Sequence, residues 1–238
     1  MTADHPLDRP VWAALTSRQS GLALGNAQAV RIDAAYGLFA AAADPSPASL
    51  AALAAILPDD GQVGMVEAAD WPQLPGVVNQ PPVGVTQMIA GALTTVPSDG
   101  FEIVDLTEDD AADMFALARL TQPGPFFERT HRLGDFVGVK VGSVKVGGVR
   151  VGGRIAAMAG ERLKLPGFTE VSAVCTHPDH RGHGYAQALM GVVAGRIEAR
   201  GETPFLHVYP HNVGAIRIYE HLGYRIRAQM KLTVLSRA

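Results

Sequence analysis

The chain has a single cysteine, no block of basic residues and no long apolar run, and each shortage excludes a class of protein. One thiol, Cys175, cannot build an internal disulfide framework, so stability must come from a packed core and a reducing compartment fits. No stretch approaches about 18 consecutive apolar residues, the length that would suggest a membrane-spanning helix. The first ten residues hold Asp4, Pro6, Asp8 and Pro10 where a secretory signal would carry a basic region and an apolar core. The expected location is therefore the cytoplasm, with no membrane partner. Lys and Arg number 20 against 23 Asp and Glu, a net charge of −3. With no cluster of Lys and Arg, a dedicated nucleic-acid surface is not expected, and any phosphate the protein binds must be held locally. Charged residues are scarce at 18% while 47% of the chain is hydrophobic, which excludes intrinsic disorder.

What is present is enough for a sizeable core: 238 residues, or one large domain or two small ones at about 150 residues each. The prolines gather at Pro72, Pro75, Pro81 and Pro82, and a second break at residues 96–100 places a boundary near residue 97. The organisation expected is an N-terminal lobe over residues 1–97 and a larger unit over 98–238. In the lobe, a helix opened by Asp8 is expected over residues 10–19. A second starts at Ser46-Pro47 and stops at Pro58, with strands at 30–33, 62–67 and 83–90. No chemistry stands out there.

The second unit begins with a strand at 101–104, then Thr107 as N-cap with Asp110 three positions on, and a helix carrying Met114, Phe115, Leu117 and Ala118 until Gln122-Pro123-Gly124-Pro125 stops it. A five-residue repeat follows: Gly138-Val-Lys-Val-Gly142, Ser143-Val-Lys-Val-Gly147, Gly148-Val-Arg-Val-Gly152. Because five is odd, one straight strand would turn successive valines to opposite faces, so a Gly-rich, mobile hairpin insertion is expected. A hairpin comes next, 154–163 returning through Leu165-Pro166-Gly167 into 168–176. A helix follows from about Gly184 to Gly201, then a strand at 205–209 and a helix between Asn212 and Gly223. The final strand has Tyr224, Ile226, Ala228, Met230, Leu232 and Val234 apolar in alternation. This order makes an α/β fold, a mixed sheet with helices on its faces.

The sharpest chemical signal is Val174-Cys175-Thr176-His177-Pro178-Asp179-His180-Arg181-Gly182-His183-Gly184-Tyr185-Ala186, a strand running through a glycine-containing turn into an amphipathic helix. Such a turn aims free backbone N–H groups at an anion, the helix dipole adds positive charge, and Gly182 and Gly184 permit close approach, so a pyrophosphate can be held without a basic patch. An ordinary strand-to-helix turn would look the same in isolation. The Rossmann and Walker spacings are both absent.

These residues resemble a known family. Arg181-x-x-Gly184-x-Ala186 after a strand is similar to the acyl-CoA-binding motif of the GNAT superfamily of N-acyltransferases. A second block, Asn212-x-x-Ala215-x-x-x-Tyr219-x-x-Leu222-Gly223-Tyr224, resembles that family's following helix and strand. Together they span residues 101–235. The first 97 residues lack both motifs, and their arrangement is similar to the degenerate companion lobe of two-lobed members such as the glycine-N-acyltransferase-like group.

The resemblance implies transfer of an acetyl group from acetyl-CoA to a primary amine by direct attack in a ternary complex, the acceptor being a small molecule or a protein N-terminus. An ammonium with a pKa of about 10 must lose a proton first. Glu170, four residues before Val174 where the family often places a carboxylate, is the candidate base, with Glu161 in reserve; a solvated strand residue or an ion-pair partner is the plain alternative. Tyr219 falls where the family's proton donor to the leaving thiolate lies, or is simply a core aromatic. Backbone groups of Ala173, Val174, Cys175 and Thr176 would pair with pantetheine and Asn212 would contact it, while Arg181, Gly182, His183, Gly184, Tyr185 and Ala186 would form the pyrophosphate site. The competing function is a non-catalytic acyl-CoA-binding or regulatory module.

His177, His180 and His183 invite a metal reading, but they straddle a proline turn and a glycine loop, where equal spacing does not converge side chains, so no metal is expected. Cys175 has no orienting third group and reads as a buried strand thiol. The Phe126-Phe127 pair either shapes the acceptor site or packs in the core.

Overall fold

A computed structural model describes residues 5–94, 96, 100–142, 144–146 and 149–238, with backbone alone at 144–146 and 149–151. A 3-10 turn at Pro6–Asp8 leads into α1 (Pro10–Leu15), followed by β1 (Ala23–Gly25), β2 (Ala29–Ile32) and β3 (Ala40–Ala42), which make a small antiparallel sheet. Helix α1 is shorter than the sequence suggests. Its N-cap is Arg9 with no side-chain bond, because Asp8 is committed to an ion pair with Arg227 at 2.6 Å. Ser46 caps α2 (Pro47–Ala55) by accepting from the Ser49 amide. Strands β4 (Val63–Glu67), β5 (Val77–Asn79) and β6 (Val83–Ala90) complete this segment.

Beyond it, β7 (Val104–Leu106) starts three residues later than expected, and Thr107 and Asp110 form a reciprocal capping box ahead of α3 (Ala111–Thr121). Gln122 ends α3 in the left-handed conformation, φ 49°. The first repeat unit belongs to β8 (Phe136–Val141), a strand of the main sheet, which corrects the hairpin reading of residues 138–142. Within the other two units, β9 (Val144–Val146) and β10 (Val149–Val151) form a separate two-stranded antiparallel sheet. Ser143, Gly147 and Gly148 lie outside the described residues, as do Pro97, Ser98 and Asp99 at the boundary. The remaining elements are β11 (Arg154–Leu165), β12 (Phe168–Thr176), α4 (Tyr185–Ala199), β13 (Thr203–Val208), α5 (Val213–His221) and β14 (Tyr224–Arg237).

The main sheet runs β4-β14-β6-β13-β12-β11-β8-β7, with β5 also on β14. Strand β6, from before residue 97, lies between β13 and β14, antiparallel to both. This explains the patchy burial of β14. The strand has neighbours on both edges, and a bulge at Arg227 shifts its alternation, so Ile226 is 51% exposed while Leu235 is buried. Helices α4 and α5 cover one face over Val137, Val139, Val171 and Leu206; α3 and the N-terminal segment cover the other over Met158, Leu163, Phe205 and Val85. Among the described residues no helix is long and apolar enough to cross a membrane.

Candidate active site

The turn after β12 is built by local chemistry. The His177 side chain accepts from the Asp179 amide at 3.3 Å and starts a 3-10 turn over Pro178–His180. Gly182 and Gly184 then take φ 81° and 76°, values that L side chains rarely adopt. Helix α4 begins with no side-chain cap, so its first-turn amides have no partner within the helix. Apart from the adjoining residues, no atom of the described residues lies within 4 Å of where a Cβ would project from either glycine, which leaves room for a bulky anion against those amides. The His183 ring stacks on Tyr185 at 5.4 Å, and its Nδ1 lies 3.0 Å from the Arg181 carbonyl, so the ring braces the turn.

The turn opens into a cavity of about 800 Å³ that passes through the main sheet. The passage exists because β12 and β13 part company. They pair in parallel only over residues 168–170 and 203–205, after which β13 keeps its bonds to β6 and β12 keeps its bonds to β11. A bulge in β12 accompanies the divergence: Ala173, with φ 54°, is one of two non-glycine residues in the left-handed region among the described residues. The bulge also flips the alternation, so Val171 packs under α4 whereas Ala173 and Cys175 pack toward α3. Beyond it, the backbone of β12 facing the gap has no strand opposite, and Val174, Cys175 and Thr176 line the cavity across from His207, Val208 and Tyr209. An extended ligand can bond to that edge as an added strand.

On the α4 side the cavity is lined by Arg181, Gly182, His183, Gly184, Tyr185 and Ala186, and by Asn212 and Tyr219 of the α5 region. Asn212 caps α5, its Oδ1 accepting from the Ala215 amide at 3.2 Å, which leaves its Nδ2 to face a ligand. Burial pushes the Tyr219 phenol up to about 12, so it stays protonated across the neutral range. Burial likewise pushes the Cys175 thiol up to about 11, which makes it a poor nucleophile.

The opposite end, toward α3 and the N-terminal segment, is apolar: Leu38, Phe39, Val66, Val85, Leu163 and Leu232. Behind this wall lies Glu170, which does not itself line the cavity, with partners the sequence pattern did not single out. Arg162 donates from Nε and Nη2 to both oxygens of Glu170 at 2.8 and 2.7 Å, and His207 Nδ1 lies 2.7 Å from Glu170 Oε1. Gln87 is held by Arg227, which donates to its Oε1, and by the Leu7 carbonyl, which accepts from its Nε2. Its second amide hydrogen therefore points at His207 Nε2, 3.1 Å away, and the network assigns His207 the neutral tautomer with hydrogen on Nδ1.

Glu170 is fully buried. Burial by itself would raise its pKa, but the Arg162 charge, the two guanidinium bonds and His207 outweigh it and hold the carboxyl at about 2. A carboxylate held that low, with three donors on it, accepts a proton poorly near neutrality; this arrangement suits it to fixing Arg162 rather than to the base role the sequence suggested. Glu161 lies toward the end of α4, bound to Arg200 at 2.6 Å and Lys164 at 2.7 Å, and does not line the cavity. Residues 121–125 line the cavity, whereas Phe126 packs edge-on against Phe136 in the core. His177 and His180 tilt together at 5.6 Å, and among the described residues no group of three or more His, Cys, Asp or Glu is placed to hold a metal ion.

Comparison with known proteins is consistent with this geometry. The family model described as FR47-like protein matches residues 146–232. The fold is similar to a protein of Novosphingobium aromaticivorans assigned to the GNAT family of acetyltransferases, at 42% identity over 99% of this chain and 100% of that one, TM-score 0.85. A GCN5-related N-acetyltransferase from Kribbella flavida shares the fold at 21% identity over 93% and 95% of the two chains, TM-score 0.60. A GCN5-related N-acetyltransferase-like protein from Streptococcus suis does so at 14% identity over 95% and 92%, TM-score 0.56. None of the curated proteins matches.

Proposed function

The chain belongs to the GNAT family, an acyl-CoA-dependent N-acyltransferase by its relatives, and from that premise we propose that it moves an acetyl group from acetyl-CoA to a primary amine by direct attack. The observation that carries the reading is the continuity of one cavity from the uncapped start of α4, through the gap between β12 and β13, to the face covered by the N-terminal segment. A nucleotide-linked thioester enters from the first side and an acceptor from the second, so the two meet at the bulge without sharing a door.

In this reading the amides of residues 182–186 hold the pyrophosphate with Arg181, and the free edge of β12 at 173–176 pairs with pantetheine, with Asn212 beside it. The amine enters as its free base, having lost a proton to water. Its nitrogen bonds to the thioester carbon, the C–S bond breaks, and the proton released from the new amide nitrogen ends on the departing sulfur, giving amide and CoA thiol. A phenol held at about 12 is too weak an acid to surrender its proton to a thiolate whose pKa is about 8.5. Tyr219 therefore stabilises the leaving sulfur by hydrogen bonding rather than by full proton transfer. Incubation with acetyl-CoA and a panel of primary amines, followed by thiol release and product mass, tests the reading. Tight uptake of acetyl-CoA with no turnover on any amine would support a binding module instead.

A further inference from the structure

Resting on that reading, we propose that Arg162 receives a carboxylate of the acceptor, so that the acceptor is an amine that also carries a carboxylate and an apolar body. Among the described residues no Asp or Glu lines the cavity, so none of them attracts the second positive charge of a diamine, a polyamine or an amino sugar with several ammonium groups. Of the two arginines in the lining, Arg181 belongs to the glycine turn at the start of α4; Arg162 stands at the far end, beyond the gap.

The guanidinium is built to present donors rather than to neutralise itself completely. Nε and Nη2 are spent on Glu170, and Nη1 has no hydrogen-bond partner among the described residues. The group lies over the Phe39 ring at 4.9 Å, and its side chain keeps 11% exposure in a wall that is otherwise apolar. Burying an ion pair in such a wall seldom adds stability over well-packed hydrophobic residues. Fixing a planar donor for an incoming oxygen is a use that repays the cost. Gln87, His207 and Glu170 form the chain of bonds behind it, which makes them positioning residues. Leu38, Val66, Val85 and Leu163 around the guanidinium then take the apolar body.

The test uses matched pairs that differ only in the carboxylate. Leucine with 3-methylbutylamine and phenylalanine with 2-phenylethylamine serve as acceptors. N-acetylleucine and N-(3-methylbutyl)acetamide serve as ligands in calorimetry on the CoA-loaded protein. The acids should be preferred at least about tenfold in kcat/KM and in Kd, the loss expected when a site built for a polar group meets an analogue lacking it. Arg162→Met combined with Glu170→Gln, which avoids stranding either charge, should erase the preference while acetyl-CoA affinity and the folded circular-dichroism spectrum persist; Arg162→Lys should retain part of it. Equal affinity for acid and amide, failure of every acid to bind, or an acid preference that survives in the double variant overturns the proposal. The two readings fail separately. Good turnover of the decarboxylated amines alone leaves acetylation standing and removes the carboxylate site. Binding of N-acetylleucine with no turnover of any amine does the reverse.

Discussion

The two ends of the cavity are made by different means. At the α4 end recognition rests on backbone: amides of the turn, two glycines at positive φ and the unpaired edge of β12. At the α3 end it rests on side chains from six strands and a loop, with a buried ion pair between β11 and β12 that is held by hydrogen bonds from β13 and β6. A backbone site is local and is written into a few consecutive residues. A side-chain site assembled across a sheet is written nowhere in particular, and it varies without disturbing the first. In the proposed function this division gives the common donor the backbone end and the particular acceptor the side-chain end.

The comparison is broken hardest by Gly184→Glu, which places a side chain and a negative charge in the open space before α4. Acetyl-CoA affinity should fall by at least about a hundredfold, while binding of acceptor-side ligands persists; calorimetry with unchanged affinity in the folded variant would remove the phosphate site. Next is Glu170→Gln, expected to lower kcat/KM by about a hundredfold through the acceptor while sparing acetyl-CoA affinity, because Arg162 loses its anchor. The same change should cost about 3 kcal/mol in urea unfolding near pH 7, as breaking one side of a buried pair does. The sign with pH follows from the depressed carboxyl. Its stabilisation is full above the unfolded value of 4.5 and is lost as pH falls through about 2, so the gap between native and variant stability should close across that window and stay flat from pH 6 to 9. A gap that changes between pH 6 and 9 would return Glu170 to the role of proton acceptor.

A smaller effect is expected from Tyr219→Phe, which removes one hydrogen bond to the leaving sulfur and should lower kcat about tenfold with little change in acetyl-CoA affinity. Unchanged kcat would make Tyr219 a packing residue. The smallest belongs to deletion of residues 143–152. Val141 and Arg154 already face each other in register, so the shortened chain closes through Gly142-Gly153 as a two-residue turn. Melting temperature and acetyl-CoA affinity should stay within about 3 °C and twofold. A larger drop would tie the β9–β10 pair to the site.

The legible part of this protein is its local part. Thr107 with Asp110, Ser46 and Asn212 announce helix starts because a cap is a bond between near neighbours, and all three are present as bonds. Residues 174–186 announce a strand, a glycine turn and a helix start for the same reason, and all three are present. The opening of α1 and the fate of the first repeat unit differ from the sequence pattern because partners distant in sequence decide them: Asp8 is taken by Arg227, and residues 138–141 pair with β11. The state of Glu170 is not legible in the sequence, since Arg162 and His207 stand 8 and 37 positions away.

By itself the sequence determined the family, the mixed sheet, and the glycine turn before α4, all of which depend on contacts within a dozen residues or on alternation along one element. Tertiary structure alone decided that β6 enters the sheet between β13 and β14, that β12 and β13 separate near the Ala173 bulge, and that a segment with no chemistry of its own supplies Leu38, Phe39, Val66 and Val85 to the α3 end of the cavity and Gln87 behind His207. The physical reason is that apolar side chains and a lone glutamine carry no positional signal. They become a site only when strand pairing brings them to one face and leaves a gap between two strands for a substrate to fill.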